Sequence, residues 1–82
     1  MRRSRAETTT APQAARYARL LIKLRDARLG AGMTQADAAK ALRKPQSFVS
    51  KCESGERRVD VVELEHFADV YGKPVSFFFE RR

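Results

Sequence analysis

The residues with the most readable chemistry are Gln46, Ser47, Ser50 and Lys51. A glutamine amide sets a donor beside an acceptor and can pair bidentately with adenine. A lysine ammonium donates to guanine, and a serine hydroxyl donates or accepts at several bases. Ser47, Ser50 and Lys51 are spaced to share one face of a helix. Five further residues carry the chemistry of phosphate contact: Gln35, Arg43, Lys44, Arg57 and Arg58. Contacts of that kind hold a protein on a duplex without reading its sequence.

Other chemistries are poorly provided for. Cys52 is the one cysteine and cannot pair within the chain. With His66, the one histidine, it falls short of the four ligands of a structural zinc site, so no metal or other cofactor is expected. Cys52 reads as a small buried hydrophobe and His66 as a helix-surface residue. No general base is placed by sequence beside the serines or Cys52, and no glycine-rich phosphate loop is present; an enzyme is not expected. The most apolar stretch, Ala18 to Leu24, is interrupted by Arg19 and Lys23 and is far shorter than the roughly 18 residues of a membrane span. The expectation is a cytoplasmic protein that does not enter a membrane.

The 82 residues suit one small domain, and 43% of them are hydrophobic. Seventeen Lys and Arg against ten Asp and Glu give a formal charge of +7. That balance permits DNA, RNA or an acidic membrane surface as partner without choosing among them. Duplex RNA has a deep, narrow major groove that resists a helix, which favours double-stranded DNA.

These side chains need a scaffold of short helices. Residues 1–12, with Arg2, Arg3 and Arg5, read as a flexible basic arm. A domain over 13–82 follows. Its first helix is expected from Gln13 or Ala14 to about Gly30, with Tyr17, Leu20, Leu21, Leu24, Ala27 and Leu29 at helical spacing. Gly30 and Gly32 stop it. Thr34 with Asp37 resembles a capping box and opens a second helix, Gln35 to about Leu42. Arg43 and Lys44 form a turn, and Pro45 suits the first position of a third helix reaching about Glu53. That helix has Phe48, Val49 and Cys52 as its apolar positions; periodicity leaves open which of Phe48 and Val49 is fully buried. Asp60 and Glu63 form a second capping box ahead of a fourth helix, Val61 to Tyr71, with Val61, Leu64, Phe67, Ala68 and Tyr71 inward. A last short helix is expected over Val75 to Phe79, whose three phenylalanines cannot all face one small core. The fold class is all-α, five short helices, with the second and third forming a helix-turn-helix.

Residues Leu24 to Phe79 resemble the phage Cro and repressor type of helix-turn-helix domain, the XRE-like family. The likeness rests on Gly32-Met33-Thr34-Gln35, Ala38-Ala39, Gln46 to Lys51, Glu53 to Arg58, and on Leu64, Phe67, Ala68 and Gly72. It implies a repressor-like domain in which Gln46, Ser47 and Lys51 read bases with Ser50 nearby. Gln35, Arg57 and Arg58 would hold phosphates, and Arg28 would pair with Glu53. Arg43 departs from the glycine common at its position, Cys52 from a larger aliphatic residue or tyrosine, and Lys73-Pro74 from a more apolar joint. The function implied is sequence-specific DNA binding by a homodimeric transcriptional repressor on a palindromic operator. Phe77, Phe78, Phe79 and Val62 are the candidates for dimerisation. The alternative is an antitoxin-type interaction protein that binds a toxin partner as well as DNA.

Overall fold

The structure, a computed structural model, describes residues 10–80. Most of the expected basic arm, Arg2, Arg3 and Arg5 included, lies outside the described residues. Its last three residues are already helical: α1 spans Thr10–Gly30, three residues earlier than the sequence suggests. Pro12 falls in the first turn, where a missing N–H leaves no intrahelical bond unmade. α2 spans Gln35–Leu42, α3 Gln46–Ser54 and α4 Val61–Tyr71. Val75–Phe79 is a 3₁₀ helix.

Each joint has a local chemical cause. Thr34 Oγ1 accepts from the Asp37 N–H at 3.0 Å, and Asp37 Oδ2 accepts from the Thr34 N–H at 2.9 Å. Asp60 and Glu63 repeat this reciprocal capping at 2.8 and 3.0 Å. Pro45 does not enter α3 as expected. Its extended backbone (φ −69°, ψ 155°) makes it the capping residue, and its carbonyl accepts from the Phe48 N–H. Gly55 ends α3 at φ 86°, a left-handed conformation that favours glycine, and a Cβ there would meet Leu21 Cδ1 at 3.1 Å. Arg43 ends α2 at φ 60°, a left-handed conformation adopted without glycine.

The core joins all five elements. Leu24 and Ala27 from α1 meet Ala38 and Ala39 from α2, Val49 and Cys52 from α3, Leu64, Phe67, Ala68 and Tyr71 from α4, and Phe78. The alanines let α2 approach α3 closely, which fixes the helix pair. Val49 is fully buried and Phe48 half-buried. Cys52 is fully buried, and burial raises its thiol pKa; His66 is exposed on α4. Two apolar residues depart from expectation. Leu29 is exposed because it lies roughly opposite Leu24 and Ala27 around α1. Val61, expected inward, is 78% exposed, since it stands in the first turn of α4 at the edge of the Leu64–Phe67–Ala68 stripe.

Candidate nucleic-acid interface

With Val49, Cys52 and Glu53 turned inward, α3 presents Gln46, Ser47, Ser50 and Lys51 on its other side. Gln46, Ser47 and Lys51 are exposed and Ser50 is half-buried. Ser50 Oγ donates to the Ser47 carbonyl at 3.2 Å, so its hydroxyl is oriented with its oxygen still able to accept. Ser54 lies on the same face, a position sequence reasoning passed over. Its Oγ donates to the Lys51 carbonyl at 3.2 Å and accepts from the Glu56 N–H at 3.3 Å, which ties it to the loop. The polar face is therefore set out in a row by the burial of the other one.

A buried fork holds this helix at its angle to the rest. Arg28 Nε and Nη2 donate to the two carboxylate oxygens of Glu53 at 2.5 and 3.1 Å, and Nη1 donates to the Met33 carbonyl at 2.9 Å. The Glu53 side chain is 1% exposed and that of Arg28 is 10%. Hydrogen bonding to Glu53 raises the Arg28 pKa, so the guanidinium stays charged despite its burial. Gln35 Nε2 also donates to Glu53 Oε1 at 3.1 Å, and Arg25 approaches the same oxygen at 3.9 Å. Gln35, a phosphate candidate by sequence, is thus anchored by its amide. What it leaves toward solvent is the start of α2, where the first N–H groups have no intrahelical acceptor.

The other phosphate candidates separate into two groups. Arg43 and Lys44 are exposed in the turn. The Lys44 ammonium lies 5.2 Å from the centre of the Phe48 ring, and the Arg57 guanidinium lies 4.8 Å from it. Phe48 in turn stacks on Phe67 at 6.1 Å. Residues before and after α3 so converge on one aromatic platform, which no local sequence pattern announced. Arg57 is also bridged by Glu63 through two bonds of 2.9 and 2.8 Å. The fork to Arg57 and the Asp60 N–H hold the Glu63 carboxyl below its ordinary pKa, and the bond to Glu63 raises that of Arg57. Arg58 points elsewhere. Its guanidinium stacks 4.1 Å from the Tyr17 ring, and Tyr17 Oη accepts from the Val59 N–H at 3.0 Å. Arg58 there borders a groove of about 440 Å³ between α1 and the 3₁₀ helix, lined also by Phe79. Arg57 and Arg58, both exposed, thus lie over different aromatic rings, Phe48 and Tyr17.

The dimerisation candidates also divide. Phe78 is 2% exposed and belongs to the core. Phe77 is half-buried, edge-on to Phe78 at 5.3 Å, with Lys23 and Lys73 over its ring. Only Phe79 and Val62 stay well exposed. A 3₁₀ helix turns once every three residues, which sends the three adjacent rings in three directions. Among the described residues no group of metal-ligating side chains gathers, and no helix is long and apolar enough to cross a membrane.

Comparison with known proteins places this geometry. Residues 19–75 match the family described as a helix-turn-helix domain. A solved structure of an XRE-family like protein from Pseudomonas syringae pv. tomato str. DC3000 is 44% identical. The match covers 87% of each chain with a TM-score of 0.82. No curated protein matches the sequence.

Proposed function

The chain belongs to the XRE-type helix-turn-helix family of DNA-binding transcriptional regulators, and from that premise we propose that it represses transcription by occupying a palindromic operator as a homodimer. The observation that carries this reading is the outward row on α3, Gln46, Ser47, Ser50 and Lys51, flanked by the cations of the turn and the following loop. α3 enters the major groove with this row against base edges. Gln46 and Lys51 have the reach for adenine and guanine. Arg43 and Lys44 lie toward one phosphate backbone, and Arg57 stands at the other end of α3. One helix of this length reads only a few base pairs, so two copies about one helical turn apart are needed for a unique site. Occupancy of a promoter is by itself sufficient to block it.

Selection from a random duplex pool tests this. The expected result is an enriched short palindrome. Lys51→Ala should relax preference at one position per half-site, while Lys44→Ala should weaken all sequences alike and reduce the salt slope by about one. A pool that shows no enrichment, with binding that only tracks salt, overturns the operator reading.

A further inference from the structure

α1 buries one face and carries a second apolar face on its far side. At about 100° per residue, Ala15, Ala18, Ile22 and Leu29 fall in a sector of roughly 60°, opposite Leu20, Leu24 and Ala27. All four are exposed, Ile22 by 61% and Leu29 by 58%. A single exposed aliphatic residue needs no explanation. This set has the three- and four-residue steps of a heptad seam over about 21 Å of helix. Arg25 takes the remaining seam position. Its guanidinium is drawn toward Glu53 at 3.9 Å.

Charge on the flank selects the occupant. Arg19 and Asp26 are seven residues apart and so lie on the same side of the seam. Asp26 has no ion-pair partner among the described residues. A two-fold axis between positions 22 and 23 turns residue 19 onto residue 26. Two antiparallel copies of α1 then bring Arg19 of each against Asp26 of the other, with the Ile22 side chains adjacent at the centre. A cation and an anion on one flank, placed symmetrically about Ile22, make the face complementary to itself.

We propose that this α1 face is the self-association surface of the protein, occupied by the α1 of a second copy. The inference rests on the two-copy reading of operator binding and names the surface that supplies it. The seam is built from two alanines and two larger aliphatic side chains, so the free dimer is expected to be weak.

Sedimentation of the full chain over a micromolar concentration series, free and with the selected duplex, tests it. Ile22→Glu should be monomeric with an unchanged thermal melt, and should bind a single half-site as wild type does while losing paired occupancy. Arg19→Asp and Asp26→Arg should each weaken association about tenfold, and the two together should regain most of it. Failure of the double exchange to recover, or a wild type that stays monomeric both free and on duplex, overturns the proposal. Dimers that persist in Ile22→Glu overturn the α1 surface and leave the operator reading intact. Loss of site selection by a chain that still self-associates has the reverse meaning.

Discussion

Two arginine–carboxylate forks bracket α3, and they differ in almost every respect that matters. Arg28–Glu53 is sealed on the inner side of α3, and its carboxylate also holds Gln35 from α2. Arg57–Glu63 closes the loop beyond α3, with the Arg57 side chain 43% exposed and laid on Phe48. The buried fork cannot exchange partners without exposing a charge to a low-dielectric interior. The outer fork can give up its carboxylate for a phosphate, since water and solute ions reach it. One fork therefore sets where α3 points, and the other, on the operator reading proposed above, sets how firmly a cation is withheld from DNA.

The largest expected effect tests the inner fork. Glu53→Ala strands the Arg28 guanidinium and releases Gln35 together. Urea unfolding should show a loss of about 3–5 kcal/mol. DNA affinity should fall even at temperatures where the variant is folded, because the start of α2 loses its anchor. A loss within a few tenths of a kcal/mol would show that the fork is no more than a surface pair and end the comparison.

Next in size is Tyr71→Phe. The Tyr71 hydroxyl is buried without a hydrogen-bond partner among the described residues, and it feels the charges of Glu53 and Arg28. Burial pushes its ionisation far above the ordinary tyrosine range, so the phenol is neutral at any working pH. Removing an unsatisfied buried hydroxyl should stabilise by about 1 kcal/mol, with DNA binding unchanged. Destabilisation would reveal a partner for the hydroxyl and enlarge the inner network.

Much of this was legible before any coordinates. Thr34–Asp37 and Asp60–Glu63 gave α2 and α4 their starts because capping is local chemistry between residues three apart. The outward row on α3 followed from the turn signals and the apolar positions around it. Resemblance, not periodicity, supplied the Arg28–Glu53 pair, which spans 25 residues. The convergence of Lys44 and Arg57 on Phe48, and the departure of Arg58 to Tyr17, depend on how the segments before and after α3 pack against the other helices. Nothing within a few residues of Arg57 records which aromatic ring it will meet. The Phe77–Phe79 run gave the right element but not its handedness of display, since burial of Phe78 is decided by α1 and α4. Val61 failed because a helical stripe continues on paper past the point where the core ends.

Arg43 gives a smaller effect of mixed sign. Its φ of 60° is strained for any residue with a Cβ, so Arg43→Gly should stabilise by about 0.5–1 kcal/mol. The same change deletes a cation from the turn before α3. If Arg43 grips a phosphate, affinity should drop uniformly across sequences as the melt rises. Parallel gains in stability and affinity would remove Arg43 from the interface.

The outer fork offers the finest test. Glu63 caps α4 and bridges Arg57, and its carboxyl is held below its ordinary pKa. A depressed carboxylate contributes stability that is fully present above the unfolded value near 4.5 and is lost as pH falls through the lower folded value. Thermal melts should therefore decline below about pH 4.5, and Glu63→Gln should flatten part of that decline while lowering the melt at neutral pH by less than Glu53→Ala does. Its effect on DNA should be opposite in sign. Glutamine frees Arg57 and adds one positive charge, so affinity for any duplex should rise and the salt dependence should steepen by about one counterion. If affinity instead falls with the melt, Arg57 acts through Glu63 as part of the scaffold, and the two forks are alike in kind, differing only in depth.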